Sequence, residues 1–205
     1  MTHLNTPNAW FQALTAYQPA DGLLATPSRQ ESQIRVRLDN IGSQALKMDE
    51  WLLFDGQAAD PQAPIYGEGF QMLAQTAGVW SQPQAIGRCP DASVYRITPD
   101  PDYHTVHNLL LYRVGEQWIL LGFASCQRFG GEFRLYPDGR LQILMRSEGL
   151  LLPAGAHWLS EALVVLTGAD KQALLAEFAA QLAVLHHPLP SQPRVTGWCS
   201  WYHYY

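Results

Sequence analysis

Apolar and polar residues alternate over 33–39, with Ile34, Val36 and Leu38 on one face and Arg35 and Arg37 on the other. That period of two predicts a half-buried strand. Gly42 lies in the turn that follows, and 44–54 reads as more strand. The preceding residues, 1–32, are punctuated by Pro7, Pro19, Gly22 and Pro27 and read as irregular. Residues 55–92 are rich in Gly, Pro, Gln and Ala and show no firm period. They read as a long excursion with a short strand or turn near Phe70–Leu73, and long loops of this kind are often functional.

From residue 93 the pattern becomes strongly β. Strands are expected at 94–98, at His107–Val114 and at Gln117–Cys126, the last two joined by the hairpin turn Gly115-Glu116. Strands Glu132–Tyr136 and Arg140–Arg146 flank Pro137-Asp138-Gly139, where Pro presets φ and Gly accepts a positive φ. His157–Leu166 closes the series. Short strands at this spacing predict an all-β sandwich. The period then changes. Leu174, Leu175, Phe178, Leu182 and Leu185 form one stripe of a helix over 170–186, which Thr167 or Asp170 can cap and Pro188 and Pro190 end.

Composition narrows the function classes. The 205 residues are 47% hydrophobic and only 15% charged, so the chain is not a disordered, highly charged one. With a net charge of −5 and 13 Lys+Arg spread along the chain, no basic stripe exists for nucleic acid. No apolar run reaches the ~18 residues needed to cross a bilayer. The first residues lack the basic and apolar regions of a secretory signal, so a cytoplasmic location is expected. Cys89, Cys126 and Cys199 are too few and too scattered for a disulfide framework or a zinc site, and read as reduced thiols.

The chain ends on Gly197-Trp198-Cys199-Ser200-Trp201-Tyr202-His203-Tyr204-Tyr205. This nonapeptide resembles the opening barrel strand of family 36 α-galactosidases and their raffinose synthase relatives. The order before it is similar too: Gly122-Phe123, a charged hairpin, the turn Leu152-Pro153-Ala154-Gly155, a strand, the helix Ala173–Phe178, and a Pro-rich linker. The resemblance covers most of residues 33–205.

The resemblance implies a mainly β fold, a galactose-mutarotase-like β-supersandwich. A carboxy-terminal helix and the first strand of a truncated TIM barrel would follow. Residues 1–190 would be the amino-terminal β domain with linker helix 170–186, and 191–205 the start of a (β/α)8 catalytic barrel. It implies a retaining glycosidase parent that uses two carboxylates on later barrel strands. No catalytic residue is therefore expected in this chain, and no cofactor or metal. Trp201 would line the galactose pocket, with Trp198 supporting it; the other reading makes both, with Tyr202, His203 and Tyr204, barrel core or inter-domain packing. The expected partners are α-galactoside oligosaccharides, through the full-length enzyme, and further copies of the chain in an oligomer. An α-galactosyltransferase parent and a stand-alone carbohydrate-binding module are the alternatives.

Relatives carry an aromatic after a Gly-Gln-Ser pattern, whereas this chain has Asp55-Gly56-Gln57-Ala58-Ala59 with no Trp; Trp51 and Trp80 flank the region. Several other features read as structural. Lys47-Met48-Asp49 matches the spelling around the family's nucleophile but precedes the barrel, and is expected to be a turn with solvated charges. Asp100 and Asp102 sit among prolines in a loop. His104 and His107 are three apart in a strand and so point to opposite faces. Gly67-Glu68-Gly69 lacks the third glycine of a dinucleotide loop, and Ser200 lacks a nucleophile elbow.

Overall fold

The computed structural model describes residues 4–89, 91, 95, 97–187 and 197. Among these residues it is mainly β, with a curled antiparallel sheet and two helices of ten residues or more. Helix α1 (Pro7–Ala16) comes first, then strands β1 (Leu23–Gln30), β2 (Gln33–Asn40) and β3 (Leu46–Gln57). The meander β4 (Pro64–Glu68), β5 (Gln75–Val79) and β6 (Gln82–Ala85) follows. Next come β7 (His104–Val114), β8 (Gln117–Phe123), β9 (Gly130–Leu135) and β10 (Arg140–Leu152). The last elements are β11 (His157–Leu159), β12 (Leu163–Gly168) and helix α2 (Lys171–His186).

Strand β7 is the branch point. The path β1-β2-β12-β8-β7-β4-β5-β6 runs through it, and β9-β10-β3 leaves from it. Its first part, His104–His107, pairs with β9, and Leu109–Val114 pairs with β8. The changeover falls at Asn108, held at φ 58°, a left-handed conformation in which Asn is enriched among non-glycine residues. The curl wraps the two arms around one core that includes Val36, Leu110, Tyr112, Phe133, Ile143 and Trp158.

The amino terminus departs from the sequence reading. Pro7 does not break structure; it occupies the first helical turn, where no N–H is needed, and Thr6 caps the helix by accepting from the Ala9 N–H. Trp10 and Leu14 enter the core, Trp10 edge-on to Phe54 at 5.0 Å. Pro27 lies in β1, an end strand of the path, where a missing donor is tolerated. The excursion over 55–92 is also largely sheet. Its strands escape the periodic signal because they are short and carry Gly and Pro. Phe70–Leu73 is a turn in this segment, and Trp51 and Trp80 are core residues. The strand expected at 94–98 does not form at the described positions. Tyr95 is helical, Ile97 and Thr98 are irregular, and the Tyr95 ring packs on Phe70 at 5.1 Å instead of joining the sheet. The closing strand is split at 160–162, where the Ser160 hydroxyl accepts from the Val36 N–H and donates to the Glu161 carbonyl.

The remaining strand and turn assignments agree with the sequence within a few residues, except that β10 runs past the expected end at Arg146 to Leu152 through an irregularity in its pairing with β3. Asp170, not Thr167, caps α2 by accepting from the Gln172 N–H. Leu174 and Phe178 bury against Leu109, Leu111, Leu120, Val164 and Leu166, with Leu175, Leu182 and Leu185 partly buried beside them. Gly122 explains the close fit: a Cβ there would stand 2.6 Å from the Phe178 ring. Gly122→Ala is expected to cost about 1–3 kcal/mol by overpacking. Most of that cost should disappear in a Phe178→Ala background. Urea unfolding of the two single variants and the double variant measures the coupling.

Candidate functional site

Most of the carboxylates positioned by the sheet are already engaged. Asp55 on β3 accepts from the Arg140 guanidinium at 2.5 Å through both oxygens and from Gln142 at 2.9 Å. The Arg140 hydrogen bond holds its carboxyl below the usual range. Glu50 takes Arg134 at 2.5 Å and Arg146 at 3.1 Å, and is likewise lowered, first by Arg134. Arg146 also reaches Glu132 at 3.6 Å. Glu161 is 4% exposed. Burial alone would raise its pKa, but the Ser125 hydroxyl and the amides of Arg128, Phe129 and Gln127 outweigh that and lower it. These are ion pairs and loop staples rather than acids poised for proton transfer.

A different chemistry gathers where β4 parts from β7. Their pairing ends at Glu68↔His107. In the angle lies a cavity of about 250 Å³, lined by Thr76, Asp91, Tyr103, His104 and His107 among others. β5 supplies Thr76, whose hydroxyl lies 3.0 Å from His104 Nε2. His104 pairs across from Leu135 and His107 across from Glu132. They therefore leave the strand on alternate faces, as their spacing requires, yet both border the cavity because it opens at the strand's end. Burial, then the neighbouring His107, keeps the His104 pKa low. Burial also lowers that of His107, against the pull of Glu132 and Asp91 and with a smaller push from Arg146. Asp91 accepts from the Phe70 N–H at 2.5 Å and the Gln71 N–H at 3.3 Å, fixing the turn at the rim. Phe70 stands edge-on to His107 at 5.6 Å. Tyr103 carries the Arg134 guanidinium over its ring at 5.0 Å and packs on Tyr136 at 5.4 Å.

The arrangement suits recognition. A hydroxyl against an imidazole is two-thirds of a nucleophilic triad. Among the described residues, however, no carboxylate hydrogen-bonds His104 to orient it as a base. Two neutral imidazoles, a hydroxyl and a carboxylate form a set of donors and acceptors around a partly apolar hollow.

Trp198 and Trp201, the expected sugar-pocket residues, lie outside the described residues, as do Tyr202, His203, Tyr204 and Cys199. Asp55-Gly56-Gln57 ends β3, and the following Ala58 and Ala59 donate to the Gly139 carbonyl. The floor of that loop is thus tied to the Pro137–Gly139 turn. Lys47 and Asp49 are exposed on β3, so the Lys-x-Asp spelling sits in a strand rather than a turn. Asp100 caps its own loop by accepting from the Asp102 N–H. Gly67 serves close approach of β4 to β7: a Cβ there would meet Val106 at 2.6 Å. In the sequence the strand spacing of His104 and His107 argues against a shared site, and Thr76 lies in a segment without a firm period. The two histidines three apart were the available signal. Among the described residues no group of three His, Cys, Asp or Glu is placed to hold a metal ion, and no helix is long and apolar enough to cross a membrane.

No protein-family model matches the chain, and no curated protein matches it in sequence.

The depressed histidine pKa values predict a pH dependence. The unfolded chain takes up protons near pH 6.5, whereas the folded histidines resist them. Their contribution to stability is therefore full above about pH 6.5 and is lost as pH falls through the lower folded values. The urea midpoint should fall between pH 7 and pH 5, and His104→Gln should flatten that slope.

Proposed function

We propose that this chain is the amino-terminal β domain of a family 36 type α-galactosidase, acting as the scaffold on which a (β/α)8 catalytic barrel is built. The observation that carries the reading is an order of elements. Gly122-Phe123 ends β8, the charged hairpin β9–β10 follows, Leu152–Gly155 turns the chain, and β11, β12 and α2 come next. The sequence then runs through prolines into Gly197-Trp198-Cys199-Ser200-Trp201. A curled antiparallel sheet fits a β-supersandwich. On this reading Trp201 offers a flat apolar ring to the C–H face of galactose and Trp198 buttresses it. The two catalytic carboxylates belong to later barrel strands.

The surface supports an accessory role. Phe70, Met72, Ile86 and Tyr95 are all about half exposed or more. They lie on the turns beside the β4–β5–β6 meander and in the segment before β7. Apolar groups gathered in this way mark a surface that expects cover. The same residues would serve a stand-alone carbohydrate-binding module, which needs an exposed aromatic platform. An α-galactosyltransferase parent would share every feature named here and differ only in the barrel.

The test compares this 205-residue chain with one extended through the barrel, on a chromogenic α-galactoside. Activity is expected only in the extended protein. Turnover by the short chain would sink the proposal, because it would require the catalytic carboxylates to lie within this chain. In the extended enzyme, Trp201→Ala should raise KM and lower kcat/KM by roughly ten- to a hundredfold, the scale of a lost stacking contact plus a lost wall of the pocket.

A further inference from the structure

We infer that the cavity between the β4–β5 turn and the start of β7 is a binding site for one neutral pyranose ring, either a free sugar or the end unit of an oligosaccharide. The inference goes beyond the accessory-domain reading. It concerns this domain's own surface and stands whether or not the parent protein hydrolyses α-galactosides.

Size comes first. At about 250 Å³ the cavity falls just below the range that houses drug-sized ligands, which leaves room for a single ring. Its lining is divided. Ala74, Ile97 and Pro99 give an apolar side for ring C–H groups, while Thr76, His104 and Asp91 offer hydroxyl, imidazole and carboxylate. A sugar hydroxyl is both donor and acceptor, and a neutral imidazole is also both, so the two match without a charge.

His107 is the second imidazole at the cavity. It is 8% exposed, yet among the described residues it makes no hydrogen bond; the nearest carboxylate oxygen, Glu132 Oε1, lies 3.9 Å away. Its ring borders the cavity, so a ligand hydroxyl can reach it. The charge of the site selects against anions. Among the described residues its lining holds Asp91 and Asp100 and no Lys or Arg, and the Arg134 guanidinium over Tyr103 is already taken by Glu50, so the lining side chains offer an anion carboxylates and no free cation. The walls are also preformed. A Cβ on Gly87 would stand 2.0 Å from the Leu73 carbonyl, and one on Gly69 would stand 2.5 Å from Asp91 Oδ2.

The test is NMR on the 205-residue chain, following the ring protons of His104 and His107. Methyl α-D-galactopyranoside, methyl α-D-glucopyranoside and a linear galactose-terminated trisaccharide are the probes, with glycerol as control. At least one glycoside should shift both histidines saturably, with a Kd on the order of 1 mM. Thr76→Val preserves side-chain size and should weaken binding roughly tenfold through one lost hydrogen bond. Ala85→Phe alters an exposed edge position on the cavity wall and should abolish the shifts while leaving circular dichroism unchanged. Tighter binding of the trisaccharide assigns the site to a chain end; equal affinity assigns it to the free sugar. Shifts that stay linear with concentration, match those of glycerol, or persist unchanged in both variants overturn the inference. None of these outcomes depends on the α-galactosidase assay.

Discussion

The fold depends on one strand serving two neighbours along a single edge. β7 keeps β4 on one side while its other side passes from β9 to β8. A flat strand could not make that exchange. The left-handed turn at Asn108 supplies the break, and the sheet curls at that point because its two arms now lead in different directions. The core fills the space between the arms. Tyr112 shows how complete the enclosure is: its hydroxyl is buried, and burial pushes its pKa upward, with the Trp10 indole N–H pulling weakly the other way. That indole and hydroxyl approach one another without reaching full hydrogen-bond geometry. Helix α1 is thus held by packing, not by a polar lock.

The same exchange creates the cavity. Where β4 stops following β7, the first residues of β7 lose a neighbour on one edge, and His104 and His107 are left at the mouth of the gap. Positions meant for a sheet interior are exposed to a small hollow. Burial is deep enough to keep the imidazoles uncharged, while the opening is wide enough to admit a partner. The nearby ion pairs of Glu50, Arg134, Arg146 and Glu132 then stiffen the outer face against which the hollow is set.

Legibility in the sequence followed period and length. β2, β7, β8, the β9–β10 hairpin and α2 were plain, because each is long enough to repeat its pattern and each is bounded by turn residues with a definite mechanism. β4, β5 and β6 were not. They have five, five and four residues, and Gly67, Gly78, Pro64 and Pro83 interrupt any alternation. Helix α1 is hard to read because Pro7 counts with Pro19, Gly22 and Pro27 as punctuation of an irregular stretch, while in the fold it occupies the first helical turn. The cavity was half visible: the histidines were noticed, but Thr76 and Asp91 come from segments whose fold depends on distant pairing. Glu161 was missed altogether, since nothing local to Ser160-Glu161-Ala162 announces that four partners from 125–129 will converge on it.

Pro27 and Pro83 sit in the two strands that end the main path of the sheet. An end strand offers unpaired amides to any passing chain, and a proline removes one of them and bends the ribbon. Two of the sheet's three ends are therefore blunted against growth by strand addition, and the third is β3. That protection matters most while the polypeptide is still being synthesised, when a sheet of this breadth stands folded beside chain that has yet to find its place.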